Sequence, residues 1–183
     1  MTRVRTHTNP LNVTQRFLAL DYNRYMNRFY GTVDLEIGFG RGVFLRQWAN
    51  AHPDHLVLGV EVRQQIVSIL DSRLREESVS NAHVFLGNGS HFLHDAITDH
   101  SLDRLFVFHP DPWFKKRHHK RRVVNPDFLL VAANKLKPGG TCYLSTDVDL
   151  LWEDMMSVFQ NNDQFKPVDD SHFWKHDYNT HWG

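Results

Sequence analysis

Cysteine is almost absent from this sequence. Of 183 residues only Cys142 is one, so no internal disulfide can form, and its apolar neighbours read it as a small core residue rather than a nucleophile. Long apolar runs are missing as well. No stretch approaches the roughly twenty residues of a membrane span, and Met1 to Asn12 lacks the apolar centre of a signal peptide. These absences predict a soluble, cytoplasmic protein with no membrane partner. Net charge is missing too: Lys+Arg 21 balances Asp+Glu 21, so any basic stretch is a local patch and not part of a general excess. Low-complexity linkers and internal repeats are absent. A length of 183 residues, 41% of them hydrophobic, suits one domain spanning residues 1–183, with 1–30 as an N-terminal extension and 165–183 as a tail. Histidine is plentiful, but no H-E-x-x-H or paired Cys and His spacing occurs, so no metal is expected and His91 with His94 reads as a helix-surface pair. A monomer and a homodimer are both compatible with the sequence.

What is there is an alternation. Val33 to Ile37, Leu56 to Val60, Ala82 to Leu86, Leu102 to Phe108 and Thr141 to Ser145 are short apolar runs bounded by glycine, proline or acids, and they predict strands. Between them, Val43 to Ala51, Gln64 to Val79, Ser90 to Thr98 and Asn125 to Leu136 carry helical patterns. Repeated strand and helix units favour an α/β fold with a mostly parallel sheet and helices on both faces. Asn125, Pro126 and Asp127 make a good helix start, and Lys137-Pro138-Gly139-Gly140 is expected to stop that helix and turn the chain into the next strand.

The first strand runs into Glu36-Ile37-Gly38-Phe39-Gly40-Arg41-Gly42. Gly38, Gly40 and Gly42 let backbone approach a ligand at a strand's carboxyl end, where open α/β sheets bind ligands. The dinucleotide pattern G-x-G-x-x-G needs glycine at position 43, which is Val43 here. Glu36 would repel a pyrophosphate and suit a cation, such as one bearing an ammonium and a sulfonium. Glu61 closes the second strand about twenty residues on, where an acid accepts both ribose hydroxyls. Asn88, after the third strand, is placed for an adenine edge. S-adenosylmethionine needs all of these groups, although a strand-end acid or a turn asparagine alone is as often structural.

His109-Pro110-Asp111-Pro112-Trp113-Phe114 follows the fourth strand, and every one of residues 115–122 is cationic or histidine. Pro110 and Pro112 restrict the loop that carries Asp111. The block containing Lys115, Lys116, Arg117, Lys120 and Arg121 suits a polyanion such as a nucleic acid backbone, against the blander reading of a solvated loop. His118 and His119 extend that patch. Arg3, Arg5, His7 and Arg16 add to it or form a mobile tail. Trp113 stacks on a base or on adenine, or is a core tryptophan.

Leu35-Glu36-Ile37-Gly38-Phe39-Gly40-x-Gly42, Gly59-Val60-Glu61-Val62-Arg63, the run from Pro110 to Arg122 and Ser145-Thr146-Asp147-Val148-Asp149 resemble the bacterial tRNA (guanine-N7)-methyltransferases, from about Val33 to Glu153. The resemblance implies a Rossmann-like class I methyltransferase fold, S-adenosylmethionine as donor, and methylation of a guanine at N7 in the tRNA variable loop. It implies Glu36, Glu61, Asn88 and Asp111 around the donor and active site, with Lys115, Asp147 and Thr180 meeting the tRNA. The chain departs from the family pattern at His109, at Phe114, at Asn88 and in Asn179-Thr180-His181-Trp182-Gly183, which keeps only the threonine and an aromatic of the family's tetrad. A sheet without its last strand is one expectation.

Guanine N7 carries an in-plane lone pair and no proton, so a sulfonium methyl can be displaced onto it without a base, and orientation dominates. The purine gains positive charge as the bond forms. A carboxylate bonded to its N1 and N2 edge then stabilises the transition state; Asp111 and Asp147 are the candidates. Two other classes stay open: a methyltransferase for another RNA or a small molecule, and a non-catalytic RNA-binding relative.

Overall fold

The computed structural model describes residues 8–25 and 31–175. Five strands, β1 (Thr32–Ile37), β2 (His55–Glu61), β3 (Ala82–Leu86), β4 (Leu102–Phe108) and β5 (Leu136–Ser145), form one sheet in the order β3-β2-β1-β4-β5. Every pairing is parallel. Each crossover carries a helix: α1 (Val43–Ala51), α2 (Gln64–Glu76), α3 (Gly89–Ala96) and α4 (Pro126–Lys135); α5 (Asp149–Gln160) and α6 (Ser171–Lys175) follow β5. The strand order reverses between β1 and β4, and the crevice at their carboxyl ends is where such a sheet takes a ligand.

Alternation in β1 sorts its side chains. Val33, Leu35 and Ile37 pack with Phe92, Leu93, Phe128, Leu129, Leu151 and Met155 from α3, α4 and α5. The other face carries Phe44, Leu45, Trp48, Leu70, Leu74 and Phe173 from α1, α2 and α6. Helices thus cover both faces, and each fully buried Leu or Phe contributes about 1.5–3 kcal/mol. Asp34 and Glu36 fall on this second face by the same alternation. Asp34, fully buried, accepts from Trp48 Nε1 at 2.6 Å and Arg104 Nη1 at 3.2 Å and bonds His55 Nδ1 at 2.7 Å, which ties α1 to three strands.

The expected elements are present; α1, β3 and β4 keep the expected ends and the others shift. Asn125 caps α4 by accepting from the Phe128 amide at 3.0 Å, with Pro126 in the first turn. The stop predicted at Lys137 to Gly140 is corrected: β5 begins at Leu136, directly after α4, and contains Pro138 and Gly139. An edge strand has no second ladder to lose, and a register irregularity opposite Leu102 and Arg104 absorbs the proline. Helix α2 stops at Glu76 and not Val79, because Ser78 takes φ 56 and reverses the chain. Among the described residues no strand follows β5.

Residues 8–25 form a strap over β3 and α3. Arg16 donates twice to Asp95, at 2.6 and 2.5 Å, holding that carboxyl below its usual range. Phe17 meets Phe92 edge-on at 5.0 Å, and Tyr22 Oη bonds Ser101 Oγ at 2.8 Å. Arg16 is therefore committed to this docking and not to a basic patch. Arg3, Arg5 and His7 lie outside the described residues. No described helix is long and apolar enough to cross a membrane.

Candidate functional site

Gly38, Gly40 and Gly42 all take left-handed φ, at 78°, 54° and 67°. A side chain at Gly42 would also overlap Leu70, so the loop needs glycine there for both torsion and space. The Gly38 amide donates to the Val60 carbonyl at 2.8 Å, pinning the loop to β2. Helix α1 then starts at Val43 without a side-chain cap.

Glu36 and Glu61 face this loop from neighbouring strands, and both are buried. Their circumstances differ. Glu61 accepts from the Gly40 amide at 3.2 Å, the Arg63 amide at 3.1 Å, and the Arg63 guanidinium at 3.1 and 2.9 Å. Glu36 has a buried Oε2 without a hydrogen-bond partner. Burial, and then the charge of Glu61, push its pKa up to about 8. An unsatisfied buried carboxylate costs roughly 1–3 kcal/mol or more, and a cationic ligand recovers it. The donor set therefore fits a ligand with a positive centre near Glu36 and hydroxyls near Glu61.

Asn88 stands at the end of β3, buried, but its carboxamide is engaged. Its oxygen caps α3, accepting from the Ser90 and His91 amides at 2.9 and 3.3 Å, and its nitrogen donates to the Pro10 carbonyl at 2.9 Å. These bonds tie the strap to the end of β3 and the start of α3 and use one of the two amide hydrogens.

Asp111 is exposed on the loop after β4. The loop is held from three sides. The His109 amide donates to Ser145 at 2.8 Å, and its Nδ1 lies 3.4 Å from Asp147 Oδ1, so the ends of β4 and β5 bring His109 and Asp147 together. Arg122 is buried; it donates to the Pro112 carbonyl at 2.8 Å and pairs with Asp154 of α5 at 2.9 Å. His109 and Trp113 adopt φ 45 and 44, bracketing Pro110-Asp111-Pro112 with two left-handed residues. Each costs about 1–3 kcal/mol, a strain that tertiary contacts sustain. Arg63 feels the charge of Asp111 as well as that of Glu61, which holds its pKa above the ordinary value.

The basic block forms a 3-10 turn, Lys116–Arg121. Lys115, Lys116, Arg117 and Lys120 are exposed. Arg121 folds back instead, its guanidinium 4.8 Å over the Trp113 ring, with His118 edge-on at 5.9 Å. The solvent-facing cations are thus fewer than the sequence suggests, since Arg121 covers Trp113 and Arg122 is a buried clamp. His118 is pushed below its ordinary pKa by desolvation and by Arg121, Arg117 and Lys115, so it adds no charge at neutral pH. Cys142 is inert, its thiol pushed up to about 12 by burial. Thr180 lies outside the described residues. Among the described residues no group of three or more His, Cys, Asp or Glu could hold a metal ion.

Arg122 escapes sequence reasoning because its partner Asp154 lies far along the chain; Arg63 pairs with Glu61 only two residues away, but its charge gives no sign of that pairing in the sequence. Asp34 left a signal: alternation puts it on the Glu36 face of an otherwise apolar strand.

A family model described as "Putative methyltransferase" matches residues 31–183. The tRNA (guanine-N(7)-)-methyltransferase of Nitrosococcus oceani is 42% identical over 147 residues, covering 80% of this chain and 56% of that protein. One from a Synechococcus species is 36% identical over 178 residues, 93% of this chain and 75% of that protein. The chain thus spans little more than half the length of the first relative. In fold alone it is similar to the precorrin-6y C5,15-methyltransferase of Geobacter metallireducens, with a TM-score of 0.58 at 14% identity, over 75% of this chain and 65% of that one.

Proposed function

The chain belongs to the tRNA (guanine-N7)-methyltransferase family, and from that premise we propose that it transfers a methyl group from S-adenosylmethionine to N7 of a guanine in the tRNA variable loop. The observation that carries the reading is the buried Glu36 oxygen without a partner, beside Glu61 and the glycine loop. That arrangement suits a cationic ligand bearing a ribose. Bound there, the donor supplies an electrophilic methyl on sulfur.

The chain's own residues do the rest. Glu36, mostly protonated at neutral pH without a ligand, gives up its proton and carries its charge when the donor's positive centre binds beside it, and the first amides of α1 are available to the donor's carboxylate. Glu61 accepts the ribose hydroxyls, sharing or surrendering the bonds it accepts from Arg63. Asp111, held by its strained loop, bonds the N1 and N2 edge of guanine and stabilises the positive charge that grows on the purine. Asp147, beside His109, is the second carboxylate on that side. Lys115, Lys116, Arg117 and Lys120 take the phosphates. The target base must be reached or splayed from the RNA fold. Residues 1–183 act as one methyltransferase domain in the cytoplasm, with 1–30 as an extension and 165–183, including Thr180, on the substrate side.

Single-turnover methylation of bulk tRNA with labelled donor, followed by mass spectrometry of the nucleosides, tests this. N7-methylguanosine is expected. Any other methylated base, transfer to small molecules only, or donor binding with no transfer to RNA would overturn it.

A further inference from the structure

Trp113 is the aromatic that the sequence offers for stacking, and the structure occupies it: Arg121 lies over its ring and His118 meets its edge. The next residue is different. Phe114 is 68% exposed, a bare phenyl ring between Asp111 and the cationic turn. Among the described residues the other large apolar aromatics with high exposure are Trp174, at 54%, and Trp152, at 43%, both less exposed than Phe114 and neither on the Asp111 loop itself. Trp174 also packs edge-on against Phe108, Tyr143 and Phe173.

An exposed phenyl is unfavourable in water and contributes nothing to the core. It is also not carried on a slack segment. The Pro112 carbonyl is held by buried Arg122, and the αL turn at Trp113 sets the direction in which the chain leaves. On its far side stand Lys115, Lys116 and Arg117, all exposed. An aromatic face flanked by phosphate-binding cations is how proteins hold unpaired bases, stacking on the ring while cations follow the backbone. Phe114 stands three positions along the chain from Asp111, a reach of at most about 10 Å. That distance matches the neighbour of a base held at Asp111, and not a remote part of the RNA.

Resting on the tRNA reading above, we propose that Phe114 is a positioning residue: its ring stacks on the base adjoining the target guanine and keeps the strand splayed while Asp111 holds the guanine edge. It acts through the RNA and touches no reacting atom.

The test compares Phe114→Ala, Phe114→Leu and Phe114→Tyr on intact tRNA and on tRNA with an abasic site on either side of the target guanine. On intact tRNA, Phe114→Ala should raise KM for tRNA about tenfold with kcat changed less than twofold, near the low end of base-stacking effects. Phe114→Tyr should restore the parent KM, and Phe114→Leu, apolar but without a π face, should not. The salt slope of tRNA affinity and the thermal midpoint should stay at parent values, because no charge or core contact is removed. On tRNA abasic at one flank the Phe114→Ala penalty should disappear. A KM within twofold of the parent, equal rescue by Leu and Tyr, or a penalty that survives both abasic substitutions overturns the proposal. A parent protein that methylates no tRNA sinks the tRNA reading and the stacking role with it.

Discussion

Glu36 and Asp111 are carboxylates at the same end of one sheet, in opposite surroundings. Glu36 is buried, desolvated, crowded by Glu61 and has an oxygen without a partner. Asp111 is exposed on a loop bent through two left-handed residues. The donor half is built from strand ends, where short-range terms dominate and a ligand is recognised by what it satisfies. On the proposed reading the acceptor half is a clamped loop and a cationic turn in high dielectric, where long-range charge would gather the RNA and rigid geometry would aim it. One residue type serves both because burial decides whether its charge is a demand or a tool.

The sharpest way to break this contrast is Asp111→Asn, which keeps shape and removes charge. Methyl transfer at saturating tRNA and donor should fall by about a hundredfold or more, as for loss of one transition-state electrostatic contact. Affinity for tRNA should hardly move. A single-turnover rate near the parent's would shift the catalytic carboxylate to Asp147. Next in size, Glu61→Ala should weaken donor binding by about 2 to 3 kcal/mol in calorimetry on folded protein. Unchanged affinity would remove Glu61 from the ribose role and leave it as the partner of Gly40 and Arg63.

The buried carboxylate has its own signature in pH. With its pKa raised to about 8 in the folded protein, Glu36 keeps a proton that the unfolded chain releases near its ordinary value. Stability from this group is therefore fullest below about pH 4.5 and declines as pH rises towards 8, then levels off. Glu36→Gln should flatten that decline and raise the thermal midpoint at pH 8 by a few degrees, about 2–4 °C per kcal/mol for a chain of this size. It should also weaken donor binding. A Glu36→Gln midpoint that falls as steeply as the parent's between pH 5 and 8 would refute the assignment. The smallest effect on saturated rate belongs to the cationic turn. Neutralising Lys116, Arg117 and Lys120 should make the slope of log affinity against log salt shallower by about 2 to 3. Adding Arg121 should change it little, since that guanidinium covers Trp113; a further full step would show that Arg121 meets RNA as the others do.

The two halves were unequally legible in the sequence. The spans of β3 and β4 coincide with their apolar runs, and Glu36 and Glu61 follow from the glycine loop and strand spacing. Helix α5 falls outside the sequence expectation because it lies beyond the last expected strand, where no crossover to a further strand calls for a helix; it buries Leu151 and Met155 and leaves Leu150 exposed. Partners were the harder part. Arg122 reads as one more cation in a run, and only Asp154, brought back by α5, makes it a buried clamp. Asn88 reads as a ligand group, and only Pro10 and the first turn of α3 show its amide to be engaged.

The strap of residues 8–25 bears on the order in which the protein is made. Its bonds to Asn88, Asp95 and Ser101 join positions 78 or 79 apart. The strap leaves the ribosome before β3 and α3, yet nothing exists for it to dock on until the chain has grown past Ser101. At about 5–20 residues per second that is a wait of roughly 4 to 16 s with Phe17 and Leu20 uncovered. The N-terminal residues therefore finish folding late, closing a long loop onto an already formed β3 and α3. Because Asn88 takes its Pro10 contact in that closing step, the end of β3 reaches its final shape only when this earlier-made segment docks.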